Sequence, residues 1–378
     1  MKKPELHLHL LIDKLTKSTF SFALYRLPWT DEPVLVFQKD GHAEIFDSLE
    51  GLNNKKGFLF APFQSCSEHP ILLIKPDLHI KGWGDIMQAL SGLFPKGISD
   101  EAIEAIPAPL DEQEHNELST EESRKECYTQ AFHRFIKPLQ DKEFEKLVLS
   151  RSATYPIAED FSPVTAFVTA CNNYPRMMIS LCYTPTSGIW IGSTPEIIIS
   201  GQQNDWRTVA LAGTMPFMEQ KSEWSQKNLK EQQIVSEYIQ KVLKSRASKI
   251  SVNGPYTARA GNLIHLKTDI LFTLKDTKHL GKLLEALHPT PAVCGFPKDS
   301  AYNFILEHEG YDRSYYSGII GWMDPHDSTH LYVNLRCMHI AGQTTTLYAG
   351  GGILPSSTID AEWEETQIKM NTMRECLC

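Results

Sequence analysis

Apolar and polar residues along this chain follow two periods, and the two take turns. At the N-terminus His7-Leu8-His9-Leu10-Leu11 alternates and predicts a strand, with further short strands predicted at 34–37, 57–61 and 71–74. Ser119 and Glu122 form a predicted capping box, and the helix that follows carries Tyr128, Ala131, Phe132, Phe135, Ile136 and Leu139 on one stripe. Beyond it strands are predicted at 146–153, 177–183, 188–192, 197–200 and 206–212, then at 263–274, 315–323, 331–340 and 344–350. Helices are predicted from Ser162-Pro163 to about Asn172, at 222–247, near 278–287, at 299–309 and from Ile359 onward. Runs of hairpin-connected strands interrupted by helices imply an α+β fold with large, mostly antiparallel sheets flanked by helices. A doubly wound parallel sheet would need strict strand–helix alternation.

The pattern lapses between Ser99 and Glu122, where Pro107, Pro109, Asp111, Glu112, Glu114 and Glu117 predict a linker or solvated surface segment. It separates residues 1–115, which read as a variable N-terminal part of the same fold, from 116–378, which carry the chemistry-bearing motifs.

Composition narrows the class. The chain has 378 residues, 42% of them hydrophobic and 22% charged, enough for a substantial core and unlike a disordered or collagenous chain. Its apolar runs are strand-sized and too short to cross a bilayer as helices. Met1-Lys2-Lys3 is followed by no apolar core, so no signal peptide is read and a cytoplasmic enzyme is expected. The eight cysteines show no C-x-x-C spacing; Cys376-Leu-Cys378 has no histidine beside it, so the cysteines read as small hydrophobes. A net charge of −9 argues against nucleic acid and anionic membrane as partners, but local charge can still receive an anionic substrate. His7 and His9 lack a third ligand and read as the polar face of a strand.

Several charges stand where a simple fold would not put them. On the helix over 222–247, the stripe Ile234, Val235, Tyr238, Ile239, Val242 extends backward to Glu231 and then Lys227. A carboxylate on a buried stripe requires a partner or a metal. On the last helix Glu362, Glu365 and Lys369 share a face, either as a solvated Glu365–Lys369 pair or as part of a site. Glu196 lies in a tight turn between apolar runs, Lys146 opens an apolar strand, and Arg336 interrupts another. Tyr348-Ala349-Gly350-Gly351-Gly352-Ile353 reads as a glycine loop at a strand end, whose N–H groups suit an anion or form a plain turn. Two carboxylate-bearing helices and an anion-friendly segment fit a divalent cation clamping an acidic substrate.

The ordered segments resemble the chorismate-binding superfamily, which includes isochorismate, salicylate, anthranilate and aminodeoxychorismate synthases. The likeness lies in Lys146-Leu-Val-Leu-Ser-Arg151, Gly192-Ser-Thr-Pro-Glu196, Ala210-Leu-Ala-Gly-Thr214, Ser225-Gln-Lys-Asn-Leu-Lys-Glu231 and His265-Leu-Lys-Thr268. It continues through Leu287-His-Pro-Thr-Pro-Ala-Val-Cys-Gly295, Arg313-Ser-Tyr-Tyr-Ser-Gly318, Leu335-Arg336, Tyr348-Ala-Gly-Gly-Gly-Ile353 and Glu362-Trp-Glu-Glu-Thr-Gln-Ile-Lys369. Each segment is weak evidence, but ten in the family's order are not.

The resemblance implies roles. Glu231 and Glu365 match carboxylates that bind Mg²⁺, with Glu362 beside them. Arg336, Tyr316, Gly213-Thr214, Gly350, Gly351, Gly352 and Lys369 match groups that receive the enolpyruvyl carboxylate of chorismate, and His265 matches a histidine lining the ring pocket. Lys146 matches the general base that activates water, and Glu196 the general acid that protonates the departing hydroxyl. Thr290 stands where common aminodeoxychorismate synthases carry a nucleophilic lysine, and Ala292 where amine-transferring members and salicylate synthases tend to have threonine. The resemblance therefore implies an isochorismate synthase, a Mg²⁺-dependent isomerase. Salicylate synthase and a silent chorismate-binding protein are the alternatives. A monomer is expected, its product feeding menaquinone or siderophore synthesis. Two segments depart from the family pattern: Asn228 and Gln232 flank Glu231 where acidic and basic residues are usual, and Met215-Pro216 follow Ala-Gly-Thr.

Overall fold

A computed structural model of the chain describes residues 1–40, 42–95, 97–98, 120–217, 223–260 and 263–377. The acidic segment through 119 and both Ser119 and Ser222, predicted to open helices, lie outside the described residues.

Among the described residues, eighteen strands form two nine-stranded sheets, and every described pairing is antiparallel. In the first, β14 (Gly295–Phe296), β7 (Lys146–Pro156), β18 (Thr344–Ile353), β17 (Cys337–Ala341), β9 (Gly188–Thr194), β8 (Met178–Thr184), β1 (Ser21–Arg26), β2 (Val34–Gln38) and β6 (Leu78–Lys81) lie side by side. In the second, the order is β12 (Ala247–Ala260), β13 (Leu263–Leu274), β11 (Asp205–Pro216), β10 (Ile197–Gln202), β16 (Ser328–Val333), β15 (Ile319–Met323), β4 (Gly57–Ala61), β5 (Ile71–Ile74) and β3 (Glu44–Phe46).

The sheets face each other, and alternate residues of one strand serve different cores. On β1, Ala23 and Tyr25 meet Phe58 and Phe60 of β4 between the sheets, whereas Phe22 and Leu24 point outward to helices. Strands buried on both faces read as continuous apolar runs, which is why β4 and β5 are legible in the sequence. Outside the first sheet pack α1 (Leu6–Leu15), α2 (Trp83–Leu93) and α4 (Pro163–Asn173); outside the second, α5 (Gln226–Lys244) and α6 (Leu280–Leu287). The helices α3 (Glu121–Gln140) and α7 (Lys298–His308) join β7 and Trp363 of α8 (Ile359–Arg374) in a fourth cluster.

Four expectations need correction. The N-terminal segment is the helix α1, because Leu8, Leu11, Ile12 and Leu15 are buried at helical spacing, and alternation over five residues could not reveal that. Helix α3 is capped by Thr120, whose side chain accepts from the Ser123 N–H, and α5 begins after Ser225, which accepts from Asn228 N–H. The strand β12 was not anticipated: nearly all of it is exposed, so its ladder with β13, not an apolar pattern, defines it. Finally, the strand expected over 331–340 is two, β16 and β17, broken at Asn334-Leu335-Arg336 with Arg336 at φ 45°.

That break positions the site. Two of the chain's direct steps from one sheet to the other meet here, through Pro195-Glu196 between β9 and β10 and through 334–336 between β16 and β17. The steps lie side by side, since Val333 N–H donates to Glu196 O (2.9 Å) and Ser193 N–H donates to Arg336 O (3.1 Å).

Candidate active site

A cleft of about 630 Å³ opens where these steps meet β7, β11, β18, α5 and α8. Glu196, Gly213, Thr214, Glu231, His265, Ala292, Tyr316, Arg336, Gly350, Gly351, Gly352, Glu365 and Lys369 all line it. Lys146 and Glu362 stand directly behind that lining, in contact with it.

One wall is made of carboxylates and lysines. Helix α5 turns Asn228, Glu231 and Gln232 inward along the same face as Ile234, Val235 and Ile239. Gln232 fixes the helix over the sheet by accepting from Ala212 N–H (2.9 Å) and donating to Ala210 O (2.9 Å) and Thr268 Oγ1 (2.9 Å). Glu231 lies with Oε1 2.9 Å from Lys146 Nζ, an ion pair poorly directed for a hydrogen bond. Burial pushes the Glu231 carboxyl up, but Lys146 and Lys227 outweigh it and hold the group below the ordinary range.

From α8, Glu362 pairs with Lys227, and Glu365 Oε1 lies 2.6 Å from Lys369 Nζ. Lys369 also donates to Gly350 O (2.8 Å), so the Glu365–Lys369 pair belongs to the cleft rather than to a solvated face. Burial and the nearby Glu365 raise the Glu362 carboxyl against the pull of Lys227. Burial lowers Lys227, yet Glu362, Glu231 and Glu365 together keep it firmly charged.

The glycine run fits under these carboxylates. It is not a loop but the end of β18, in register with β7 at Gly350↔Ser150, Gly351↔Leu149 and Gly352↔Val148. Pairing with β17 stops at Met338↔Leu347, so beyond that point the strand borders the cleft. A Cβ on Gly352 would sit 2.2 Å from Glu231 Oε1; one on Gly351 would sit 3.2 Å from Glu362 Oε2 and 3.3 Å from Glu365 Oε1. Three carboxylates from two helices therefore converge on two adjacent glycines.

Among the described residues no three acidic or imidazole groups close on a single point, because each carboxylate is turned to a lysine. Glu362 Oε2 is nonetheless buried with no hydrogen-bond donor. An all-oxygen, anionic donor set with one unsatisfied oxygen fits a hard divalent cation such as Mg²⁺.

The opposite wall is neutral or cationic. Glu196 is 4% exposed, and burial pushes its carboxyl up to about 7 despite the pull of Lys146 and Lys369. Arg336 Nη2 lies 2.6 Å from His265 Nε2. A guanidinium only donates, so Nε2 must accept, and Nδ1 carries the proton, 3.2 Å from Gly213 O. Burial, then Arg336, drives the imidazole well below its usual range, so it is neutral. Gly213 has φ +70°, and a Cβ there would lie 3.0 Å from the Asn228 Cβ, so only glycine suits this bulge between β11 and α5. Tyr316 stacks on Tyr348 (5.5 Å, 14°), and Tyr348 stacks on Trp190 (5.5 Å, 23°).

Sequence reasoning missed part of this lining. Val148 and Val293 line the cleft but look like ordinary core positions. Lys227 lay on the extended α5 stripe, and that position was the available sign that it would meet a buried carboxylate. The aromatic wall around Tyr348 carried no spacing signal, since its rings, Trp190, Tyr311, Tyr316 and Tyr348, come from β9, β18 and the segment before β15.

Comparison with known proteins agrees with this geometry. The profile of the chorismate binding enzyme family matches residues 89–378. The isochorismate synthase MenF of Bacillus subtilis is 27% identical over 335 residues, covering 85% of this chain and 70% of that protein. The isochorismate synthase EntC of Escherichia coli is 31% identical over 198 residues, 49% of this chain and 50% of that one. The vibriobactin-specific isochorismate synthase of Vibrio cholerae is 32% identical over 194 residues, 48% of this chain and 49% of that one. Against such relatives the matched chain spans about half of their length. Among solved structures, the menaquinone-specific isochorismate synthase MenF of Escherichia coli superposes with a TM-score of 0.76 at 23% identity, over 97% of this chain and 91% of that one. Anthranilate synthase component I of Streptococcus pneumoniae gives 0.59 at 17%, over 93% and 92%. These two likenesses establish the fold.

Proposed function

Because this chain belongs to the chorismate binding enzyme family, we propose that it is an isochorismate synthase, moving a hydroxyl of chorismate from C4 to C2. One observation carries the reading: Glu196 and Ala292 line one cleft, Lys146 reaches it through Glu231, and Thr290 rather than lysine precedes Ala292.

Lys146, as the free amine and not the ammonium paired with Glu231, takes a proton from the water that attacks C2, and Glu196 gives its proton to the C4 hydroxyl, which leaves as water. The ring double bonds shift, and the atoms balance as an isomerisation. A carboxyl near neutrality is suited to the acid role, because it is substantially protonated at working pH. Arg336 and Lys369 supply positive charge to the enolpyruvyl carboxylate, helped by the Tyr316 hydroxyl and the backbone at Gly213-Thr214 and Gly350–Gly352. Neutral His265 orients Arg336 and borders the ring. Glu231 and Glu365, with Glu362 behind, would hold Mg²⁺, which when bound orients and neutralises the ring carboxylate. Residues 116–378 form the catalytic region under this reading, with 1–115 as the variable part. The enzyme acts as a cytoplasmic monomer on a small molecule, without nucleic acid or membrane; no described helix is long and apolar enough to cross a membrane. The relatives named for menaquinone and for vibriobactin support a product used in menaquinone or siderophore synthesis.

The test is incubation with chorismate and Mg²⁺ followed by chromatography. Isochorismate without salicylate or pyruvate is expected, with loss of turnover in EDTA and recovery on adding Mg²⁺. Salicylate with pyruvate would make the protein a salicylate synthase, and no turnover would leave a silent binder.

A further inference from the structure

Behind the cleft lies a buried ion pair that none of these roles uses. Glu309, just past α7, is 5% exposed, and Arg313, in the turn that follows, is 2% exposed. They meet as a fork: Arg313 Nε–H donates to Glu309 Oε2 (2.6 Å) and Nη2–H to Oε1 (2.7 Å). Most of the remaining polar contacts run to backbone. Nη1–H donates to Val293 O (2.7 Å) and Nη2–H to Val148 O (2.9 Å). Glu309 Oε1 in turn accepts from Ser150 N–H (2.7 Å) and Ser150 Oγ–H (2.8 Å).

These backbone groups belong to the two chain segments that meet at the water-activating side of the cleft. Val148 and Ser150 lie on β7, two and four residues beyond Lys146, while Val293 follows Ala292. The segments already touch: Val148 N–H donates to Cys294 O (2.8 Å), and β14 pairs Phe296 with Lys146. In a strand, alternate residues share a face, so a shift at Val148 carries Lys146 with it.

A buried ion pair is a costly way to gain stability, since well-packed apolar residues often do as well. Directed bonds to three backbone positions give what apolar packing cannot, a fixed relative placement. We propose that Glu309–Arg313 is a positioning pair that sets Lys146 against the Ala292 turn, and so against Glu196. This rests on the role given to Lys146 above.

The variants Arg313→Lys, Glu309→Gln and the double Glu309→Leu/Arg313→Met test it, through kcat and KM for chorismate and through amide hydrogen exchange over 146–150 and 293–296. Displacing a catalytic group by about 1 Å costs on the order of 10²-fold in rate. Arg313→Lys and the double variant are therefore expected to lose about 30–100-fold in kcat, with KM changed less than about 3-fold. Exchange should quicken at 146–150 and not across β1 or β4. Lysine keeps the charge but cannot reach both carbonyls, so rescue by Arg313→Lys would overturn the proposal. So would wild-type kcat in the double variant, or unchanged exchange at 146–150 in Arg313→Lys and Glu309→Gln. Should the double variant not fold, the two single variants decide. If the unmodified protein does not turn over chorismate, the isochorismate reading falls, and exchange alone still decides whether the pair fixes β7.

Discussion

Two glutamates on facing walls of the cleft, Glu231 and Glu196, are held in opposite states. On the α5–α8 side, Glu231 is in contact with Lys146 and is held below the ordinary carboxylate range. On the other side, Glu196 is similarly buried, but no lysine contacts it, and burial leaves it near 7. Desolvation acts on both; what differs is whether an ammonium group stands within contact distance to repay it. Under the proposed function, glutamate would therefore serve as an ion binder on one wall and as a proton donor on the other, without any change in its own chemistry.

The strongest way to break this contrast is to remove the base. Lys146→Ala is expected to lower isochorismate formation by about 10³-fold, within the range typical for a general base, while the far-UV circular dichroism stays unchanged. Retained product would take Lys146 out of its role and leave the charged wall with binding alone.

Glu196→Gln comes next, with a loss of about 10²-fold in kcat. If Glu196 is the acid, as proposed, the protonated form is the active one, so kcat should fall as pH rises through about 7, and the variant should lack that limb. Stability follows the same sign. The folded group binds its proton more tightly than the unfolded one, so its contribution is fullest below about 4.5 and is lost as pH rises through about 7. The loss amounts to roughly 3 kcal/mol at most, at 1.36 kcal/mol for each pH unit separating the two states. Thermal melts at pH 5 and pH 8 should therefore differ less for Glu196→Gln than for the parent, and an equal difference would put the carboxyl's ionisation elsewhere.

A smaller effect comes from Gly352→Ala, whose methyl would fall 2.2 Å from Glu231 Oε1 and 2.8 Å from Lys146 Cε. Both are ends of flexible side chains, so the fold should absorb the change while the two groups are driven apart. About a 10-fold to 10²-fold drop in kcat is expected with little change in melting temperature. A variant that unfolds instead would show the glycine to be structural.

Smallest is Gln232→Leu, which removes three hydrogen bonds and strands buried backbone partners in β11. Roughly 1–3 kcal/mol of stability should be lost in urea titration, with activity per folded molecule nearly kept. A specific loss of activity would mean that Gln232 tunes Glu231 and does more than hold α5 in place.

Much of this was legible in the sequence where burial leaves a period. The apolar stripe of α5 drew attention to Glu231 because a bare carboxylate on it would be costly, and in the structure that residue is buried and paired. The sheets were legible because β4, β5 and β8 are buried on both faces. The rest failed for local reasons. Strand β12 has little buried surface to mark it, and α1 is too short for alternation and helical spacing to be told apart. The glycine run looked like a loop because glycine commonly marks turns; here it leaves space for carboxylates from α5, more than a hundred residues back, and from α8, which follows directly. Arg313 opens one of the quoted segments, but its pairing with Glu309 was not legible, since apart from the Ser150 hydroxyl the pair's partners are backbone carbonyl and amide groups.

The paired steps between the sheets bear on how such a site can change over evolutionary time. Enzymes that carry their chemistry on surface loops can alter specificity by lengthening, trimming or exchanging those loops. Here Glu196 and Arg336 stand on links of two and three residues, each anchored at its ends in a different layer. An insertion in either link would slip strand register in both layers at once. Descendants of this architecture are left to diversify by exchanging single side chains at positions such as Thr290 and Ala292. Different reactions can then be separated by very few mutations on an almost unaltered backbone.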